Sequence, residues 1–287
     1  MSRSMALAAC FVCLAGVAVA QLDKPAPPLD NPPLLNNGKP MIVDYHCGEE
    51  DIRLAGLTCT IDDPCPVFLE LASVEALGNR IFVTGNIHSS STTLDSVLLS
   101  SDDAGKTWRE PFERMHLAGL DRIQFMDFEN GWVSGEVQHP LPRDPFLLAT
   151  TDGGKTWRAR PIFADQQFGS IVDFRFTSRT SGYLVIYRGR TGESGSSELY
   201  ETLNAGDSWM LRQTSDRLIE LMRHSPTADA DWRLRADAAS KSYRIERRAG
   251  AGWRGIAAFS VSIGTCKPPE IPVLPVDAMP VSPQGPR

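Results

Sequence analysis

The 287-residue chain has no excess of basic residues: 29 Lys+Arg stand against 35 Asp+Glu, a net charge of −6. Nucleic acid is held by clustered positive charge, so nothing here favours it as a partner. The sequence also lacks a second long apolar run. Residues 1–20 carry Arg3, an apolar stretch from Met5 to Ala20 and a small-residue end, Ala18-Val19-Ala20, before Gln21. That is the pattern of a cleaved secretory signal peptide. Nothing else approaches the roughly 20 apolar residues of a membrane helix, so no stable membrane insertion is expected. Leu7-Ala8-Ala9-Cys10 imitates a lipoprotein cleavage box, but too few apolar residues precede the cysteine.

Phosphate and metal signatures are missing too. Gly-Lys-Thr at 105–107 and 154–156 looks like the end of a phosphate-binding loop. Such a loop needs another glycine five positions before the Gly-Lys, and those places hold Ser100 and Ala149. The pairs Asp62-Asp63 and Asp102-Asp103 lack the alternating ligands and closing Glu of a calcium loop. His88 and His139 fall on equivalent loops of neighbouring units but fit no metal-ligand spacing. No cofactor is expected. Removing the leader takes Cys10 and Cys13 away and leaves Cys47, Cys59, Cys65 and Cys266. An even set in an exported chain predicts two disulfides.

What is there is a repeat. Ser101-Asp102-Asp103-Ala104-Gly105-Lys106-Thr107-Trp108 recurs as Thr150-Thr151-Asp152-Gly153-Gly154-Lys155-Thr156-Trp157. A third copy runs Thr202-Leu203-Asn204-Ala205-Gly206-Asp207-Ser208-Trp209, and a fourth keeps only Gly250-Ala251-Gly252-Trp253, with Arg248 where the Asp stood. Apolar pairs precede the first three copies, which predicts a tight turn between two strands. Asp103 or Asp152 would accept backbone N–H groups of its own turn. Gly105 or Gly154 would take a positive φ. Each tryptophan would pack beneath the hairpin. The four tryptophans are spaced 49, 52 and 44 residues apart, a propeller-like period. Upstream of the boxes lie Ile123 to Gly135 and Phe174 to Ile186, each two alternating strands about a short turn ending in Gly131 or Gly182.

The repeat resembles the Asp-box, or bacterial neuraminidase repeat, of sialidases, sortilin-type receptors and photosystem II assembly factors. The order of alternating strand, Gly-Trp strand and box is similar to the photosystem II stability and assembly factor propellers over about residues 70–260. In that family the box is a structural turn at the blade periphery. The resemblance therefore implies a scaffold role for Asp103, Gly105, Thr107, Trp108, Asp152, Gly154, Thr156, Trp157, Asn204, Gly206, Ser208 and Trp209. Relatives of that kind commonly have seven blades, whereas residues 47–266 hold four or five.

The expected organisation is a signal peptide over 1–20, a proline-rich linker over 21–46, an all-β propeller of four or five blades over 47–266, and a proline-rich tail over 267–287. With four strands per unit, the turns between strands one and two and between strands three and four share one face. The opposite face receives the long connections, including 86–96, 136–145 and 188–198. Rigid scaffolds carry binding residues on such loops. The candidate binding face is thus Asn86, His88, Glu136, His139, Arg143, Tyr187, Arg188 and Arg190. The functional expectation is an exported protein-binding or assembly scaffold without enzymatic activity, its ligand an unknown protein or glycan. The alternative is a sialidase-like glycoside hydrolase or carbohydrate-binding propeller. Against that alternative, no Arg-Ile-Pro segment of the sialidase kind occurs.

Cysteine pairing has three solutions. Cys59 and Cys65 flank an Asp-Asp-Pro turn and can meet locally, which leaves Cys47 for Cys266 as a clasp between the first and last blades. Cys47–Cys59 with Cys65–Cys266, and Cys47–Cys65 with Cys59–Cys266, compete with it.

Overall fold

The structure is a computed structural model, which describes residues 32–138, 144–165, 167–189, 195–221, 231–262 and 264–268. The chain begins with β1 (Leu34–Leu35) and β2 (Met41–Val43), followed by one short helix, α1 (Glu49–Leu54), and β3 (Cys65–Pro66). Four sheets then follow in chain order. The first is β4 (Phe68–Leu77), β5 (Arg80–His88), β6 (Thr93–Ser101) and the short β7 (Thr107–Trp108). The second is β8 (Ala118–Phe125), β9 (Gly131–Val137), β10 (Asp144–Thr150) and β11 (Arg158–Pro161). The third is β12 (Ser170–Phe176), β13 (Gly182–Tyr187), β14 (Ser197–Thr202) and β15 (Met210–Ser215). The last is β16 (Trp232–Asp237), β17 (Ser242–Ala249) and β18 (Gly252–Val261), after which β19 (Thr265–Cys266) pairs with β3. The consecutive strands β4–β6, β8–β11, β12–β15 and β16–β18 run up and down as antiparallel neighbours, while β7 pairs with β1 beside the first sheet, giving a propeller-like, almost wholly β architecture.

The segment expected as a linker over 21–46 is part of the fold from Leu34 onward. Met41–Val43 lies parallel to Phe259–Val261 and supplies the fourth strand of the last sheet. Leu34–Leu35 pairs with Trp108 and Thr107 on the edge of the first sheet. Between them the Asn36 amide donates to the carbonyls of Gly105, at 2.7 Å, and Ile256, at 2.8 Å. The proline-rich composition hides these strands because each is only two or three residues long. Two disulfides complete the closure, Cys47–Cys266 and Cys59–Cys65.

The turns sort onto two faces. In each of the first three sheets the repeat turn donates a backbone N–H to the turn between strands one and two: Ala104 to Asn79, Gly153 to Glu129, and Ala205 to Thr180, at 2.7–2.9 Å. One expected long loop is absent. β5 reaches His88 and β6 starts at Thr93, so the 86–96 connection shrinks to four residues held by Ser89, whose hydroxyl accepts the N–H groups of Ser91 and Thr92.

Burial divides the apolar side chains into three cores, and each lies in a seam between sheets. The first sheet meets the last through Val83, Leu99, Trp108, Ile245 and Phe259. The first meets the second through Phe82, Leu98, Phe125, Leu148 and Trp157. The second meets the third through Trp132, Leu147, Phe176 and Leu184. Among the described residues no core joins the third sheet to the last.

Candidate functional site

The repeat turns consume their own polar groups. Asp103 Oδ1 accepts from the N–H groups of Lys106 and Thr107 at 3.0 and 2.9 Å, and its Oδ2 accepts from the Thr107 hydroxyl at 2.8 Å. The Ser101 hydroxyl accepts from Gly105 N, and the Trp108 indole donates to the Gly105 carbonyl. The second turn repeats every one of these bonds through Thr150, Asp152, Gly154, Thr156 and Trp157. In the third, Asn204 takes the place of Asp: its Oδ1 accepts from Ser208 N and its amide donates to the Ser208 hydroxyl. Trp209 has lost the indole bond. Burial opposes ionisation of Asp103, yet the donors from Thr107, Ser101 and Lys106 outweigh it and hold the carboxyl at about 2. A carboxylate so committed has nothing left for a ligand.

The predicted binding residues fall into two separate groups. Asn86 sits within β5 and acts as a cross-seam staple: its Oδ1 accepts from Leu120 N at 2.8 Å, and its amide donates to Leu120 O at 3.3 Å. His88 ends β5, with Nδ1 2.8 Å from the Ser89 carbonyl and Nε2 3.7 Å from Glu70. Glu136 stands opposite Gly119 on β8. Between these acids lies Asp121, whose carboxyl is pushed up to about 6 by burial and by the nearby charges of Glu136 and Glu70. The residue as a whole is solvent-exposed. The first group is therefore acidic: Glu70, Asp121 and Glu136, with His88 at its rim.

The second group is a strut. The guanidinium of Arg188 donates to Glu198 at 2.7 Å, to the Phe168 carbonyl at 2.6 Å and to the Tyr200 hydroxyl at 3.0 Å, and it lies 4.6 Å from the Phe163 ring. Tyr200 also donates to Glu198. Arginine fully engaged in this way orients a loop and does not offer itself to an anion. Tyr187 accepts from Gly195 N at 3.1 Å across the same connection. His139, Arg143 and Arg190 lie outside the described residues. Among the described residues no group of three His, Cys, Asp or Glu side chains is placed to hold a metal ion.

Two adjoining concavities lie elsewhere. A groove of about 800 Å³ opens beside the third sheet, lined by Gln124, Met126, Tyr183, Leu199, Gln213 and Leu221 among others. A second hollow of about 600 Å³ adjoins it at Arg122, Val172 and Asp173, and Ile219, Glu220 and Leu221 border both. The Gln124 side chain fixes the floor by accepting from Phe176 N at 2.8 Å and donating to Phe176 O at 3.0 Å. Sequence reasoning missed this groove because it searched the long loops. The available signal was the apolar pattern Leu218-Ile219-Glu220-Leu221 in the link between the third and fourth repeat units.

No protein-family model matches the sequence, and no curated protein does. Three solved structures resemble it over part of their length. A phage phi92 endosialidase is 12% identical with a TM-score of 0.38, covering 70% of this chain and 48% of that one. YCF48 bound to a D1 peptide is 18% identical with a TM-score of 0.36, covering 69% and 59%. An ulvan lyase is 8% identical with a TM-score of 0.35, covering 70% and 52%. The chain thus spans about half to two thirds of the structures it matches, and at these identities the likeness is one of fold alone. It corrects the expectation that the chain is no enzyme: two of these three neighbours are enzymes, so the architecture gives no ground for excluding catalysis.

Proposed function

We propose that the protein is an exported binding module, a small four-bladed Asp-box propeller that holds a segment of a partner protein in the groove beside the third sheet. The observation that supports this reading is the groove itself. It is concave, rich in apolar side chains and floored by a rigid inter-sheet hydrogen-bond pair, which are the general attributes of a recognition site. The repeat turns and the Arg188 strut contribute by keeping its walls in place. Export rests on the leader-like residues 1–20 and is supported by two disulfides, which persist in oxidising compartments.

The test is affinity capture from the source cell's envelope with the mature chain as bait, compared with Leu199→Arg, which places a charge in the groove wall. A partner retained by the first and lost by the second is expected. Identical captured sets would remove the groove from consideration.

A further inference from the structure

Each of the first three repeat tryptophans fills the seam toward the preceding sheet. Trp108 lies in the core shared with the last sheet, Trp157 in that shared with the first, and Trp209 packs against that shared with the second. Trp253, the fourth, has no such seam among the described residues, where no core joins the last sheet to the third. Its ring is bracketed instead by arginines, with Cζ of Arg233 4.3 Å and Cζ of Arg248 5.9 Å from the ring centre.

The strand register gathers more charge onto the same face. Arg233 is opposite Glu246, Arg235 is opposite Arg244, and Arg248 is opposite Trp253. Side chains directly opposite share a face, as do those two apart along a strand, so Arg233, Arg235, Arg244 and Arg248 all point away from the first sheet. Two acids accompany them, Glu246 paired with Arg233 and Asp237 paired with Arg244. Arg235 and Arg248 are exposed and, among the described residues, take part in no ion pair. Like charges directly opposite, as at Arg235 and Arg244, destabilise a sheet unless something neutralises them. Residues 231–262 hold seven basic and three acidic side chains within a chain whose net charge is −6.

We propose that this face of the last sheet binds an acidic polysaccharide, its carboxylate or sulfate groups paired by Arg235 and Arg248 and its sugar rings resting against the Trp253 edge. Charge selects an anion, and the planar guanidinium forks suit carboxylate and sulfate. The backbone argues for a glycan over a peptide. β16 is the free edge of this sheet, but Arg248 and Trp253 stand on β17 and β18 away from that edge, so a ligand spanning Arg235 and Arg248 lies across the sheet face and meets side chains, where an extended peptide would add to the edge. A lipid surface fits poorly because, among the described residues, Ile42 on β2 is the one large apolar side chain of this sheet that is exposed.

The experiment uses the whole mature protein with heparin and polygalacturonate as sulfated and carboxylated probes, and dextran, poly-glutamate and duplex DNA beside them. Binding to at least one acidic polysaccharide is expected, weakening about tenfold or more between 50 and 200 mM salt as counterions compete. Arg235→Ser/Arg248→Ser lowers affinity about tenfold or more, with a melting temperature no lower than that of the wild type, since both side chains are exposed and the pair of like charges at Arg235 and Arg244 is relieved. Arg53→Ser/Arg179→Ser, which removes two exposed charges elsewhere, leaves affinity unchanged. The single Arg248→Gln gives a smaller loss of the same sign. No binding to either acidic polymer, equal binding to dextran, tighter binding to poly-glutamate or DNA, or equal loss in the control variant each overturns the proposal.

Discussion

Trp108 and Phe259 meet edge to face, ring centres 5.1 Å apart and planes at 87°, which ties the first repeat turn to the last sheet. Trp157 makes the equivalent contact one seam on, against Phe82 and Phe125. Both tryptophans are 1% exposed and donate their indole N–H within their own turn. Trp157→Ala is expected to cost about 3–5 kcal/mol in urea unfolding, the range for emptying a large aromatic site. Trp209→Ala should cost less, since its ring is only half-buried and its indole bond is already lost. If Trp157→Ala kept full stability but lost partner capture, the structural assignment of the turn would be wrong.

The repeat turns were legible because their chemistry is local. Ser/Thr, Asp, Gly, Thr and Trp bond within eight residues, so spacing alone reveals them. Asn86 was misplaced for the opposite reason. Its bonds go to Leu120, on another sheet, and no local pattern marks that distance. β1 and β2 stayed hidden because their partners lie far along the chain, Leu34 on Trp108 and Met41 on Phe259. The lack of a core between the third and last sheets among the described residues was unreadable in principle, since a missing contact leaves no motif. Only the arginines around the fourth tryptophan record it.

The Asp103 carboxyl gives a pH prediction with a definite sign. Its folded value of about 2 lies below that of an unfolded aspartate, about 3.9. Its ionised form therefore stabilises the fold above the unfolded value, and that contribution is lost as pH falls from about 4 to about 2. Asp103→Asn should fold, because Asn204 already performs the task in the third turn. The variant should lose the part of the acid dependence that the wild type shows in that window. An identical acid profile for the two proteins would contradict the assignment.

Asp121 should behave in reverse. Burial and the charges of Glu136 and Glu70 raise it to about 6, so the folded state binds its proton more tightly than the unfolded chain. Stability from this site is then greatest at low pH and declines between about 4 and 6. Asp121→Asn is expected to be more stable than wild type at pH 7 and to match it near pH 4. Differential scanning calorimetry at the two pH values decides this, and a variant equally shifted at both would show that the acidic group is not coupled.

The two disulfides should differ in worth because they close very different loops. Cys47 and Cys266 are 219 residues apart, Cys59 and Cys65 only 6. In the chain-entropy account the first is worth about 5 kcal/mol and the second about 2. The long bridge does not act alone. Met41–Val43 pairs with Phe259–Val261, Ser262 N donates to Val43 O at 2.9 Å, and Tyr45 N donates to the Ser262 hydroxyl at 2.8 Å. These contacts can hold the last sheet while the bridge is absent, so Cys47→Ser/Cys266→Ser should fold but unfold at a lower denaturant concentration. Cys59→Ser/Cys65→Ser should lose roughly half as much or less. Peptide mapping of the unreduced wild type comes first, and a linked peptide joining Cys47 to Cys59 or Cys65 would defeat the pairing. With the pairing established, equal destabilisation by the two double variants would mean that the clasp between the ends of the chain contributes nothing beyond a local staple.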